Sequence, residues 1–277
     1  MTYSAITPRP ISAALGAEID GVDLSKDLPD AVIAEIRRAL LEYLVIFFRD
    51  QDITPEQHLA FARRFGDLVA YPMVKGLDDY PEIVPVLKLE HETVNFGGIW
   101  HSDTTYLAEP PLGAILVARE LPPTGGDTLF ANMYMAYDSL SEDMKEKLSR
   151  LTAINTSAKA HVAKSREGRQ QDMDDVPEPL IAEHPAVRTH PETGRRVFYV
   201  NLGHTVGFKD MSEEESGPLL EDLFAHQQQE QFTCRFQWAP GSIAFWDNRC
   251  TQHFPFNDYH GYRRELHRVT LAGDRPV

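Results

Sequence analysis

The stretch Trp100-His101-Ser102-Asp103-Thr104-Thr105-Tyr106 sets an imidazole two residues before a carboxylate. On an extended segment, positions i and i+2 project from the same face, so both groups would enter one cavity. That pair is two thirds of a 2-His-1-carboxylate facial triad, which holds non-haem Fe(II) and leaves coordination positions open. His-x-Asp alone is a common pattern, so the reading needs a third donor and groups to anchor a co-substrate. The candidate third donor is His253, in Trp246-Asp247-Asn248-Arg249-Cys250-Thr251-Gln252-His253, after an alternating segment and a turn-like one. Taken alone, it serves equally well as a surface or core histidine. Its distance along the chain is no obstacle, because a barrel brings remote strands together.

Near the C-terminus, Tyr262-Arg263-Arg264-Glu265-Leu266-His267-Arg268 alternates, and Arg264, Leu266 and Arg268 share one face. Two arginines aimed into a barrel would be costly without anions to meet them. The planar guanidinium fork matches a carboxylate in bidentate fashion. The period also permits the opposite arrangement, with Arg263, Glu265 and His267 inward, and periodicity alone does not choose. The histidines His58, His91, His161, His184, His190, His226 and His260 fall outside any ligand spacing and read as surface or loop residues. His267 reads as structural.

The elements that would position these groups are short. Apolar alternation broken by glycine over residues 4–24 suggests two brief strands. Val32, Ile33, Ile36, Leu40 and Leu41 have helical spacing, and Leu44 to Phe48 is a continuous apolar run that reads as a buried strand. Thr54-Pro55-Glu56-Gln57 is a capping box with proline at the first helical position. Ile83 to Leu87 contains Pro85 and reads as an edge strand. Residues 89–98 read as a mobile loop of the kind that closes over substrates. Further strands are expected at 113–118, 127–131, 187–190, 196–200, 232–238, 242–246 and 262–272. Helices should start at Ser141, running to about Leu151, and at Ser212, where Glu215 completes a capping box. The polar stretch 157–183 reads as a surface insertion with little order. Many short strands with inserted helices fit a mainly β, double-sheet jelly roll, one domain over 1–277.

Composition bounds the partners. The formal net charge of -15 argues against nucleic acid or an anionic membrane surface. It leaves room for a small anionic substrate in a locally basic pocket. Met1 to Pro10 has no apolar run of the secretory kind, and no segment approaches the ~18 apolar residues of a spanning helix. Cys234 and Cys250 are the only cysteines, which fits a reducing cytoplasm better than a disulfide framework.

Taken together, Trp100-His101-Ser102-Asp103, Gly125-Gly126-Asp127-Thr128, Trp246-Asp247-Asn248-Arg249 and His253 followed by Asp258-Tyr259 and Arg264 resemble one family. It is the taurine/aryloxyalkanoate dioxygenase family of Fe(II)- and 2-oxoglutarate-dependent oxygenases, and the likeness covers nearly the whole chain. The resemblance implies a double-stranded β-helix of cupin type, with His101, Asp103 and His253 as iron ligands. It implies that Thr128 and Arg264 bind the distal carboxylate of 2-oxoglutarate, and that Arg268 meets the anion of the prime substrate or flanks the co-substrate. With O2, the keto acid would give succinate and CO2 while a substrate C–H bond is hydroxylated. C–O or C–S cleavage follows where the oxidised carbon bears such an atom. Because Asp103 is a carboxylate, which halogenating relatives lack, halogenation is not expected.

The resemblance also gives pocket candidates: Tyr71, Asn95, Tyr106, His204 and Arg268. Tyr71 stands where taurine-degrading members carry a histidine, which turns the expectation away from taurine. The run from Phe65-Gly66 to Tyr80-Pro81-Glu82-Ile83 looks closer to aryloxyalkanoate-degrading members. A homo-oligomer, dimer or tetramer, is implied. The competing reading is a cupin-like module that holds a metal or small molecule without turnover; such a module has no use for Thr128 and Arg264. A hydrolase would need a placed nucleophile, and none is evident.

Overall fold

The computed structural model describes residues 2–71, 74–159 and 178–277. The chain opens with β1 (Thr7–Pro10) and β2 (Ala17–Asp20), then α1 (Asp30–Tyr43) and β3 (Val45–Phe48). Next come α2 (Pro55–Arg63), β4 (Leu68–Val69), β5 (Ile83–Lys88), β6 (Gly113–Glu120) and β7 (Thr128–Asn132). They are followed by α3 (Met133–Asp138), α4 (Glu142–Ser149), β8 (Thr152–Thr156), β9 (Ile181–Pro185), β10 (Val187–Thr189), β11 (Arg196–Phe198) and β12 (Thr205–Phe208). After α5 (Glu213–Gln227) come β13 (Thr233–Phe236), β14 (Ile243–Asp247), β15 (Thr251–Pro255) and β16 (Arg264–Leu271).

The main sheet has the order β1-β2-β3-β14-β6-β16-β4, with β5 also paired to β16. A three-stranded sheet, β13-β7-β15, faces it. This is the jelly roll that the strand pattern predicts. Alternation along the central strands explains why both faces are apolar. Ile46, Phe48, Ile115, Val117, Ile243 and Phe245 pack outward with Ile36 and Leu40 of α1 and Phe61 of α2. Phe47, Leu116, Trp246 and Leu266 pack inward against Phe130 and Phe236 of the second sheet. Phe47 stacks on Phe236 with ring centroids 3.9 Å apart. A strand covered on both sides must read as a continuous apolar run, and 44–48 does.

Both capping boxes form as expected, at Thr54 and at Ser212. Pro85 sits in β5, which pairs only with β16 and is an edge strand. The differences lie in shorter elements. Residues 251–255, around His253, where no strand is expected, form β15 and pair with β7. Met133–Asp138 is a helix that periodicity over so few residues does not reveal; Asn132 caps it. Ile181 to Glu183, assigned to the polar insertion, belong to β9, which pairs with β8. The rest of that insertion, 160–177, lies outside the described residues. No helix among the described residues is long and apolar enough to cross a membrane.

Candidate active site

His101 and His253 meet through an isolated antiparallel bridge, in which each backbone N–H donates to the other's carbonyl, at 3.1 and 2.8 Å. The expectation that His101 and Asp103 share one strand is therefore corrected: His101 contributes a single bridge, and a turn follows it. Ser102 Oγ donates to the Thr251 carbonyl at 2.7 Å and takes the place of a continuing ladder. Thr104, with φ of +43°, then turns the chain back. Asp103 still reaches the same space. Its Oδ1 lies 3.7 Å from His101 Nε2 and 3.9 Å from His253 Nε2. The donor atoms of His101, Asp103 and His253 all fall within 4.8 Å of one another.

Neighbouring groups orient each donor. His101 Nδ1–H donates to the Ile99 carbonyl at 2.6 Å, which leaves the Nε2 lone pair toward Asp103. Gly97, at φ of +67°, lies against the His101 ring; a Cβ there would come within 2.8 Å of it. Trp246 Nε1 donates to Asp103 Oδ2 at 3.3 Å and to Asn248 Oδ1 at 3.0 Å. Asn248 Oδ1 also accepts from the Asp103 backbone N–H. Phe130 and Trp246 wall the His253 ring. Nothing in the local sequence marks Ile99 or Gly97 for these roles. Trp246 and Asn248 stand out only as part of a motif, without a role.

The electrostatics suit a cation. Burial lowers the pKa of His101, against the pull of Asp103, and drives that of His253 well down. Both are neutral imidazoles at neutral pH. Burial alone would raise the Asp103 carboxyl, but Arg268, then His253 and His101, hold it well below the usual carboxylate range. Two neutral imidazoles and one ionised carboxylate, each already deprotonated, fit Fe(II).

A cleft runs from this cluster past Leu116, Leu266, Val86 and Trp238 to Thr128 and Arg264. Arg264, Leu266 and Arg268 all point inward and are buried, which settles the face that periodicity leaves open. Arg264 Nη2 donates to the Gly126 carbonyl at 2.9 Å, while its Nε has no partner among the described residues. Gly126 has φ of +72°, and a Cβ there would lie 2.9 Å from Arg264 Nε. Only glycine leaves the guanidinium its room. Thr128 Oγ1 accepts from Trp238 Nε1 at 3.0 Å, so its own proton is free to be donated.

Among the pocket candidates, Arg268 Nη1 donates to Asp103 Oδ1 at 2.9 Å and Nε to Thr270 Oγ1, while Nη2 has no partner among the described residues. Its guanidinium stacks over Tyr71 at 4.7 Å. Tyr106 is hydrogen-bonded to Tyr71 and meets His204 edge-on at 5.0 Å. His204 lies 6.1 Å from the His101 ring, and burial takes its pKa down to about 3. The Asn95 amide is engaged elsewhere: it donates to the Pro255 and Phe256 carbonyls and fastens the 89–98 loop to the end of β15. His267 faces away from the arginines and bonds Glu265.

Three histidines read as surface or loop residues are in fact buried: His58, His184 and His190. Each has a partner at its Nε2: the Ile115 carbonyl, the Leu107 carbonyl and Asp247 Oδ2. Their burial comes from tertiary packing, which ligand spacing does not report. His161 lies outside the described residues.

A double-sheet barrel with a 2-His-1-carboxylate donor set and an arginine-tipped cleft defines a candidate mononuclear oxygenase. Comparison with known proteins gives the family. Residues 7–270 match the model described as "Taurine catabolism dioxygenase TauD, TfdA family". An alpha-ketoglutarate-dependent sulfate ester dioxygenase of Pseudomonas putida is 36% identical, over 97% of this chain and 90% of its own length. The (S)-phenoxypropionate/alpha-ketoglutarate-dioxygenase of Sphingobium herbicidovorans is 35% identical, over 96% and 94%. A solved taurine dioxygenase from Burkholderia xenovorans is 37% identical, with a TM-score of 0.83 over 99% of this chain and 91% of that one. The chain belongs to the TauD, TfdA family and is a 2-oxoglutarate-dependent non-haem iron dioxygenase. The reading as a binding module without turnover is set aside.

Proposed function

We propose that this chain is a single-domain cytoplasmic enzyme that holds Fe(II) on His101, Asp103 and His253. It hydroxylates a small organic anion: an aryloxyalkanoate, a sulfonate or a sulfate ester. The observation that carries the reading is the convergence of those donors at one end of a cleft whose other end holds Thr128 and Arg264. The buried, free Cys234 and Cys250 fit a reducing compartment. Iron bound there, with 2-oxoglutarate, would supply oxygen activation at the expense of decarboxylation to succinate and CO2.

The residues of the chain do the rest. Thr128 donates its hydroxyl, and Arg264 its guanidinium, to the distal carboxylate, fixing the length and direction of the keto acid. Leu116, Leu266, Trp246 and Phe130 keep the cleft apolar, which excludes water and strengthens those charge contacts. Arg268 steadies Asp103 with one nitrogen and has another free for the anion of the prime substrate. Tyr71 stacks against that guanidinium and, with its hydrogen-bond partner Tyr106, adds aromatic surface, which favours an aryl or alkyl group beside the anion. Where the hydroxylated carbon carries ether oxygen or sulfur, the product collapses with bond cleavage.

Succinate release under Fe(II), ascorbate and O2, across a panel of aryloxy acids, sulfonates and sulfate esters, tests this reading. A member of the panel should raise succinate well above the uncoupled background, with oxidised product in equal amount. Background-level succinate with every anion, together with turnover of a neutral analogue, would overturn the anion assignment.

A further inference from the structure

Lys88, the last residue of β5, is buried to 2% exposure, and its Nζ has no hydrogen-bond partner among the described residues. Its neighbour across the ladder is Arg264 of β16. Directly opposed residues of an antiparallel pair emerge from the same face with Cβ atoms about 5 Å apart, so two cations stand side by side. Like charges so placed repel, and an unpaired buried ammonium adds a desolvation cost. Arg264 is partly compensated by a Tyr259 side-chain hydrogen bond and by the nearby Asp127 and Asp258 carboxylates, whereas among the described residues no carboxylate bonds Lys88 Nζ. Lys88 Nζ lies 4.6 Å over the Tyr259 ring, and the Arg264 guanidinium lies 5.7 Å from that same ring. The Gly126 carbonyl takes one Arg264 nitrogen and leaves Nε bare.

Two adjacent buried cations with bare nitrogens mark a place built to receive an anion. We infer that Lys88 is a second cation of the co-substrate carboxylate site, beside Arg264 and across the Tyr259 ring. It selects keto acids that carry a distal carboxylate. This rests on the reading of Thr128 and Arg264 as the 2-oxoglutarate anchor. Lys88 does not touch the reacting atoms; it sets the charge at the far end of the cleft. Tyr259 positions it by offering its π face, the weak partner that holds an ammonium until a carboxylate arrives.

The test is calorimetric binding of 2-oxoglutarate and of 2-oxopentanoate, which lacks the distal carboxylate, to Mn(II)-loaded protein without turnover. Lys88→Met should weaken 2-oxoglutarate about tenfold or more, on the scale of a charge-assisted hydrogen bond. It should leave 2-oxopentanoate unchanged, and Lys88→Arg should restore 2-oxoglutarate affinity. The unliganded Lys88→Met protein should melt no lower than the parent, because an unpaired buried charge has gone. Lys88→Gln gives the same test if the Met variant does not accumulate. Equal 2-oxoglutarate affinity in parent and variant, or equal weakening of both keto acids, would overturn the role of Lys88. If Arg264→Met also leaves 2-oxoglutarate binding untouched, the anchor reading itself falls, and Lys88 with it.

Discussion

Two buried clusters in this molecule contain nearly the same side chains and do different things. His101, Asp103 and His253 form one; His190, Asp247 and Cys250 form the other, and both bring their donor atoms within 4.8 Å. At the second, Asp247 is used up. Arg249 grips it in bidentate fashion at 2.8 and 2.6 Å, His190 takes Oδ2 at 3.1 Å, and Glu192 closes the far side of Arg249. Burial raises the pKa of the Cys250 thiol well above its usual value, so it offers no thiolate. At the first, one guanidinium nitrogen and one indole N–H hold Asp103, and both imidazole Nε2 atoms face it at 3.7 and 3.9 Å. Residue types alone do not make a metal site. Lone pairs left pointing at a common point do. The closed cluster serves the open one: Asp247 and Arg249 fix the turn that delivers β15, and the Asp247 carbonyl accepts from Thr251 Oγ1 at 2.7 Å.

The sharpest break of that comparison is a matched pair of substitutions. Asp103→Ala should abolish tight Fe(II) retention and lower succinate release by at least about a thousandfold while the protein stays folded, since it removes one of the three proposed ligands. Asp247→Ala should instead lower stability by about 3–5 kcal/mol in urea, because the buried Arg249 loses its bidentate partner and keeps only Glu192, and His190 loses its carboxylate. If Asp247→Ala keeps full stability but loses metal, the two clusters have been assigned the wrong way round.

A smaller effect separates the anion contacts. Arg268→Ala should weaken apparent binding of the prime substrate, read as its KM, about ten- to a hundredfold, as expected for a lost charge-assisted contact. Apparent binding of the keto acid co-substrate should change much less. Steady-state kinetics with each substrate varied in turn would show an equal loss for both if Arg268 serves the co-substrate instead.

The proposed donors stand out in the sequence because a facial triad would leave a chemical signature, His-x-Asp and a remote His, and the fold brings those three side chains together. The main sheet is legible for a similar reason: a continuous apolar run such as 44–48 reads as a strand covered on both faces, and Val45–Phe48 of it forms β3. What periodicity does not supply is context. It does not fix which face of β16 is inward; Arg264 proves buried beside Lys88, Tyr259 and Trp238, and Arg268 beside Asp103, Tyr71 and Trp246. It does not show that His58, His184 and His190 are interior, since a histidine's burial depends on a single carbonyl or carboxylate arriving from elsewhere in the chain. Lys88 is invisible in an edge strand, where a lysine ordinarily faces water.

The smallest effect is one of pH. Burial lowers the His58 pKa to about 3, below the value near 6.5 in an unfolded chain. The unfolded state therefore binds the extra proton first. Stability is fully present above about pH 6.5 and is lost as pH falls toward 3, by at most about 1.4 kcal/mol per pH unit. The Asp247 carboxyl behaves differently. Burial alone would raise it, but the Arg249 contacts and then the His190 bond hold it below the usual carboxylate range. Its contribution persists until pH falls below about 4, the unfolded carboxylate value. Urea titrations of the parent should show a slope between about pH 6.5 and 4.5 that His58→Gln reduces and that Asp247→Asn leaves alone.

The central claim is that His101, Asp103 and His253 present one ferrous ion to a keto acid held at its far end by Arg264. Anaerobic addition of Fe(II) and then 2-oxoglutarate tests it most directly. A chelated keto acid should give a visible charge-transfer absorption in the parent, absent in His253→Ala and needing much more 2-oxoglutarate to appear in Arg264→Met. A parent that binds Fe(II) but develops no such band, or a His253→Ala variant that keeps it in full, would contradict the account.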